Sequence, residues 1–405
     1  MESAGLFGPA SSGLKRVNVF VLFLFCWSLE MDSELFSPKP RSRRQFMKMA
    51  ASGAFGLGLS QMVSGCGWRL GNVQSGQSNT TSANELFLYT WAQYVDDELL
   101  KEFRGVTGLR TIRELFDSNE KMMAALQAGK GQTFSVLYPS EYFIPKLVKA
   151  GLLAELDHTR VQGLDNLMPQ FRRSMADLDN HYGVPFAWGT TGLIYNQEKI
   201  PEGIEDWNYL WKNKEKLTRK MTLLDDSREV LGCALKSLNY SVNETSADRI
   251  KKAYEKLAIL KPHIASFTTD GWRTQLAAGD LWIAMGYSSD AIGLLKENPK
   301  LRYVVPKPGG TRWSDWMVIP KSAPNPNAAY EWINHLLKPT VAATVAQRLA
   351  VTTPNAGAIP LLAQELQQNV VSYPTAEVMA RCESMTALTD EAEQLYDKYW
   401  TQLTS

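Results

Sequence analysis

The segment Leu223-Leu224-Asp225-Asp226-Ser227-Arg228-Glu229-Val230 joins two apolar runs through a dense acidic turn, with Asp226 and Glu229 three residues apart. Read as a strand entering a helix, Asp-x-x-Glu ahead of an apolar segment is a capping box, in which each side chain satisfies an orphan backbone N–H. Carboxylates at a helix start also sit in the positive end of the helix dipole and stay ionised, so spare lone pairs can receive a cation. Which reading holds depends on what faces the turn. Polar groups stand beside aromatic rings elsewhere in the chain: Gln93 between Trp91 and Tyr94, Ser140 near Tyr142, Tyr287 near Asp290, Trp313 near Asp315. Singly, each has an ordinary explanation in core packing or helix capping. Together they match the needs of an aliphatic polyammonium. Its charged ends are costly to desolvate unless carboxylates receive them, and its methylenes pack on ring faces that also attract cations.

Composition narrows the alternatives. The 405 residues are 44% hydrophobic, enough for two lobes with cores of their own. Basic and acidic residues nearly balance, 43 against 42, which argues against a nucleic-acid partner bound by a broad basic surface. The histidines His158, His181, His263 and His335 are far apart, and no G-x-S-x-G, P-loop, H-E-x-x-H or G-x-G-x-x-G is present. No catalytic residue, cofactor or metal ligand is therefore assigned. Of Cys26, Cys66, Cys233 and Cys382, no two have metal-site spacing. Cys233 and Cys382 could form a disulfide in an oxidising compartment or remain free thiols.

The elements that must position these residues follow a leader. Residues 17–29 form an apolar run too short for a comfortable membrane span. Ser42-Arg43-Arg44-Gln45-Phe46-Met47-Lys48 matches the twin-arginine export signature with Met47 in place of Leu, an Ala/Gly-rich stretch follows, and Val63-Ser64-Gly65-Cys66 looks like a lipobox. This order predicts export through Arg43 and Arg44 and lipidation at Cys66, with translation starting at Met31. Residues 67–84 read as a flexible tether.

From Glu85 the pattern alternates: strand 86–89, a helix from Asp96 to Thr107 closed at Gly108, strand 109–115, helix 118–128, strand 134–137 and helix 142–150. Such alternation predicts an open, mostly parallel sheet, with ligands beyond the carboxyl ends of the strands. Residues 182–196 read as a crossover strand, after which the alternation restarts: helix 230–238, helix 247–260, strand 281–287, a helix from Ala291 and strand 303–305. In Thr311–Pro320, strand alternation puts Trp313 and Asp315 on one face.

The segments Tyr89–Val95, Tyr138–Tyr142, Leu224–Val230 and Gly309–Pro320, in that order, resemble the periplasmic spermidine/putrescine-binding proteins of polyamine ABC transporters. The resemblance spans about residues 85–405. It implies an α/β, two-lobed periplasmic binding protein fold with two crossover hinge segments, near Trp188 and Arg312, and a ligand cleft between the lobes. Lobe 1 would be 85–188 plus 313–358 and lobe 2 would be 189–312 plus 359–405. It further implies aromatic walls at Trp91, Tyr94, Tyr142, Tyr287 and Trp313, and ammonium-binding carboxylates at Asp226, Glu229 and Asp315. Gln93, Ser140 and Asp290 complete the expected ligand contacts. Asp290 resembles an aspartate of the putrescine-preferring members. Gln93 departs from the acid common in relatives, and Val351 stands in place of an aromatic, which leaves chain-length preference open with a lean toward a diamine or short triamine. The implied partners are a polyamine, ABC permease subunits and, through Cys66, a membrane, with the protein periplasmic and monomeric. Two alternatives stay open: the same fold serving another solute, such as an amino-acid derivative, an opine or ferric ion, and a secreted enzyme using Asp226 and Glu229. The second is disfavoured, because carboxylates at i and i+3 project side by side rather than flanking a substrate.

Overall fold

A computed structural model describes residues 84–172 and 177–405. The expected leader, twin-arginine signature, lipobox and nearly all of the tether lie outside the described residues. From Glu85 the order is β1 (Glu85–Thr90), α1 (Asp97–Thr107), β2 (Arg110–Leu115), α2 (Asn119–Gln127), β3 (Val136–Leu137), α3 (Ile144–Lys149) and the long β4 (Gly183–Asn196). Next come β5 (Met221–Leu223), α4 (Ser227–Ser237), α5 (Ala247–Leu260), β6 (Ile264–Phe267), α6 (Trp272–Ala278), β7 (Ile283–Tyr287), α7 (Ser288–Glu297), β8 (Leu301–Val304) and β9 (Thr311–Val318). The chain closes with α8 (Pro326–Leu337), α9 (Pro339–Leu349), β10 (Glu383–Ser384) and α10 (Asp390–Thr404).

Local signals account for most of these bounds. Asp96 caps α1 by accepting from the Leu99 N–H at 2.9 Å, and the helix ends at Gly108. Differences arise where a neighbour intervenes. The helix expected over 142–150 begins as a 3-10 turn, Glu141–Phe143, and becomes α-helical at Ile144 with Pro145 in its first turn, where the missing N–H costs no helical bond. The helices expected from Val230 and Ala291 each start three residues earlier, at Ser227 and Ser288. Strand β3 is reduced to Val136–Leu137.

The strand order is β2-β1-β3-β9-β4-β7-β5-β6, with β10 beside β9 and β8 beside β4. The outer strands pair in parallel, β1 with β2 and β3, β5 with β6 and β7, as alternation predicted. The middle does not. β4 and β9 are antiparallel to each other, β9 is antiparallel to β3, and β4 is antiparallel to β7 and β8. This makes the sheet mixed rather than mostly parallel, because the two crossovers run in opposite directions through its centre.

β4 changes partners part-way along. Residues 183–190 pair with β9 and residues 191–196 with β7 and β8. All fourteen residues are buried. Pro185, which cannot donate to a ladder, sits where the register with β9 shifts. Two apolar cores flank this switch. One gathers Leu86, Phe103, Tyr138, Ile144, Trp316 and Trp332; the other gathers Trp207, Leu223, Val230, Leu257, Met285 and Tyr396. The molecule is thus two-lobed, and the lobes are called 1 and 2 in that order.

The C-terminal region ties the lobes from behind. Thr352 bridges Trp188 of β4, and the Trp188 indole donates to the Thr353 carbonyl at 3.2 Å. Leu366 packs on α9 and also against the cluster holding Ile194 and Trp272. β10 lies against the start of β9, where the Arg312 guanidinium donates to Ser384 Oγ at 2.6 and 2.9 Å. Gly309 makes this docking feasible: its φ is +88°, and a Cβ there would come within 1.8 Å of the Arg381 carbonyl oxygen.

Candidate functional site

Acid and ring side chains from both lobes converge beside the β4–β9 crossover. From lobe 1, β1 ends at Thr90 and delivers Trp91, Gln93 and Tyr94, while the turn after β3 carries Ser140 and Tyr142. Trp91 donates its indole N–H to the Tyr138 carbonyl at 2.8 Å and packs on Phe116, which fixes the ring. Asn119, at the start of α2, bonds both sides of the next turn. Its amide donates to Ser140 Oγ at 3.1 Å and Tyr142 Oη at 3.3 Å, and its carbonyl oxygen accepts from the Ser140 N–H at 3.0 Å.

Strand β9 brings Trp313 and Asp315, as its alternation predicted. Asp315 is buried, accepts a hydrogen bond from the Tyr94 hydroxyl and bridges Ser140 across the strands. Burial pushes its carboxyl up to about 6, against hydrogen bonds from Ser140 and Tyr94 that act the other way. Trp313 meets Tyr287 of lobe 2 edge to face, centroids 5.8 Å apart, and its indole N–H is buried without a partner. Gly189 of β4 makes room for that indole: a Cβ there would stand 2.4 Å from Trp313 Cζ2.

In lobe 2 the acidic turn forms half of the expected capping box. Asp226 Oδ1 accepts from the Glu229 N–H at 2.9 Å and caps α4. Glu229 does not reach back to the cap; it is buried beside Thr191, Thr311 and Met285, and its Oε1 accepts from Thr191 Oγ1 at 2.9 Å. Hydrogen bonding from Thr311 and Thr191 favours the ionised form of this carboxyl. Burial and the neighbouring Asp226 push Glu229 up to about 8. Asp226 is partly exposed at its surface yet enclosed enough that burial raises it too, against its bond from the Glu229 N–H and the nearby Arg228. The two acids of this turn thus differ in what they hold: Asp226 caps the helix and Glu229 bonds Thr191.

Asp290 is placed differently. Its side chain is 1% exposed, and Oδ1 accepts two bonds from Arg273, Nε at 3.1 Å and Nη2 at 2.6 Å. Gln93 of lobe 1 hydrogen-bonds to the same carboxyl. By contrast, among the described residues no lysine or arginine forms a salt bridge with Asp226, Glu229 or Asp315, though Arg228 acts on the first two through space.

Several residues at the site had no sequence-level signal. Arg228 lies inside the acidic turn but donates to the Thr386 carbonyl and Asn243 Oδ1 while its guanidinium stands 5.3 Å from the Tyr142 ring centre across the cleft. Glu120 is raised by burial and also feels Asp226. Tyr303 Oη donates to the Thr190 carbonyl at 2.8 Å. Val351 lies in lobe 1 beside a small apolar crevice with Phe186 and Val345, whose lining holds none of the acids. Cys233 and Cys382 are free thiols. At the rim, Lys146 pairs with Glu393 at 2.9 Å and Lys149 with Asp390 at 3.6 Å, each linking α3 of lobe 1 to α10 of lobe 2.

Comparison with known proteins agrees with this architecture. Residues 97–375 match the family model described as bacterial extracellular solute-binding protein. The chain is 32% identical to the spermidine/putrescine-binding periplasmic protein of Salmonella typhimurium, over 88% of this chain and 97% of that one. It is 30% identical to the putrescine/cadaverine-binding protein of Pseudomonas aeruginosa, over 82% and 96%. Among solved structures, the substrate-binding protein of the spermidine/putrescine ABC transporter of Streptococcus pneumoniae superposes with a TM-score of 0.70 at 35% identity, covering 79% of this chain and 98% of that one. Two lobes joined at β4 and β9, with acids and rings between them and relatives matched over nearly their whole length, place this chain in the bacterial extracellular solute-binding protein family.

Proposed function

We propose that this protein captures short aliphatic polyamines outside the cytoplasm and hands them to an ABC permease. One observation supports the reading: among the described residues no lysine or arginine forms a salt bridge with Asp226, Glu229 or Asp315, while Tyr94 bonds Asp315 and Tyr142 and Tyr287 feel the charge of Asp226. Ionised carboxylates so placed are costly unless a cation meets them. Polyamine-binding relatives support the choice of ligand. An anionic ligand would need a free arginine, whereas Arg273 is held by Asp290 and Arg228 by backbone and Asn243. In this reading Trp313, Tyr142, Tyr94, Tyr287 and Trp91 wall the methylenes, and Ser140 and Gln93 shape the ends. The protein acts as a monomeric carrier without cofactor or turnover.

Removing one carboxylate tests the site directly. Asp315→Asn and Glu229→Gln should each weaken putrescine or spermidine binding by roughly 2 to 5 kcal/mol, about thirtyfold or more. Asp226→Asn should lower affinity while keeping the cap, since an amide oxygen still accepts from the Glu229 N–H, whereas Asp226→Ala should also lower stability by about 1 kcal/mol. Calorimetry beside thermal melts on each folded variant separates the two effects; equal amine affinity in wild type, Asp315→Asn and Glu229→Gln would sink the site.

Closure is the second expectation. The ligand touches both lobes, so it binds the closed arrangement better and shifts the population toward it. Small-angle scattering should give a smaller radius of gyration with saturating amine than without. An equal radius at proven saturation would mean the lobes do not swing.

Binding should also release protons. Asp315 at about 6 and Glu229 at about 8 are partly protonated near neutrality, and an ammonium favours their ionised forms, pulling both down. Affinity should therefore rise with pH from 5 to 8 and level off until the ligand amines lose protons at about 10. Without ligand the sign reverses: burial favours the protonated carboxyls, so the closed form loses stability as pH rises through 6 and 8. Calorimetry in buffers of different ionisation enthalpy reads the proton release; a buffer-independent enthalpy at pH 7 contradicts it.

The leader sequence carries the fourth expectation, twin-arginine export followed by lipid anchoring. Arg43→Lys with Arg44→Lys should strand the precursor in the cytoplasm, and Cys66→Ser should yield an exported, soluble form. Normal envelope delivery of the double variant would exclude this route.

A further inference from the structure

Asp290 faces the same rings as the other acids, acting through space on Tyr94, Tyr287 and Tyr303. Its charge is nonetheless already countered from within the protein. Arg273, the second residue of α6, donates through two nitrogens to Asp290 Oδ1 and through Nη1 to Asp270 at 2.8 Å. The guanidinium also lies 5.3 Å from the ring centre of its neighbour Trp272, which is fully buried and whose indole donates to the Thr269 carbonyl at 2.9 Å. Three anchors on a planar fork leave Arg273 little freedom, and two charge-assisted bonds converge on one oxygen of a buried carboxylate. An ammonium arriving at Asp290 would have to displace this grip and leave the guanidinium unpaired.

The remaining acids fall into two groups. Asp226 and Glu229 act on each other, whereas Asp315 responds to Tyr94, Ser140 and Glu141. Two groups of carboxylate suit two ammonium ends.

We propose that Arg273 is the resident counter-ion of Asp290 and limits the cleft to two ligand cations, so that linear diamines are preferred to triamines. Gln93, neutral and bonded to the same carboxyl from lobe 1, closes this seat without adding charge. This rests on the polyamine reading and specifies its selectivity. Arg273 works through Asp290, which makes it a positioning residue whose signature is a selectivity ratio rather than an affinity alone.

The experiment is calorimetry with putrescine and with spermidine on wild type, Arg273→Gln, Arg273→Lys, and Arg273→Gln combined with Asp290→Asn. Wild type should favour putrescine. Arg273→Gln should move the affinity ratio toward spermidine by at least about tenfold, the scale of one charge-assisted bond. Arg273→Lys should restore the wild-type ratio, and the added Asp290→Asn should cancel the shift. An unchanged ratio in folded Arg273→Gln overturns the inference alone, since amine binding would persist. Wild type binding neither amine overturns the polyamine reading and this inference with it. A crystal structure of wild type soaked with spermidine decides the matter without any variant: Arg273 still on Asp290 supports it, and a spermidine nitrogen on Asp290 with Arg273 displaced overturns it.

Discussion

Burying a carboxylate away from a counter-charge is the constraint on which the rest of this structure depends. Asp315 and Glu229 are each more than nine-tenths buried, and burial pushes both upward, to about 6 and about 8. Such groups strain a closed cleft near neutral pH, because desolvation of an ion is repaid only by a close opposite charge. In the proposed function this gives a conformational preference that depends on what enters: a cation between the lobes matches the acids, and closing without one brings unmatched charge out of water.

The proposed closure would run through the two strands shared by the lobes. β4 belongs to both lobes, bonding β9 over its first half and β7 and β8 over its second. β9 returns beside it and carries Trp313 and Asp315 at the crossing, so the ligand-facing residues sit where a small change of angle alters their distance to lobe 2. Each lobe has an apolar core of its own, which lets it move as a body. Contacts between the lobes at the rim are mostly partly exposed ion pairs, such as Lys146 with Glu393, which contribute little individually and can part easily.

Within the cleft, side chains of one chemical type have been given different tasks by their neighbours. Asp226 serves the helix by capping α4; Glu229 bonds Thr191; Asp290 is matched internally by Arg273; Asp315 is held by a tyrosine hydroxyl. Of these four carboxylates, Asp290 alone has a salt-bridged arginine among the described residues.

What the sequence by itself determined is the local and the periodic. The helix from Asp96 to Gly108, the cap at Asp226 and the shared face of Trp313 and Asp315 follow from interactions within a few residues, and the alternation of strand and helix follows from where apolar side chains must be buried. The four motifs named Trp91, Tyr94, Ser140, Tyr142, Asp226, Glu229, Trp313 and Asp315 as one expected site; of these the structure joins Tyr94 and Ser140 to Asp315, and Ser140 to Tyr142 through Asn119. Tertiary structure alone decided the antiparallel centre of the sheet, the turning of Glu229 away from its cap toward Thr191, and the pairing of Asp290 with Arg273 and Gln93. Those outcomes depend on contacts between residues as far apart as Gln93 and Asp290, brought together by two lobes packing around β4. A charge's partner is set by distance in space, and a linear pattern records only distance along the chain.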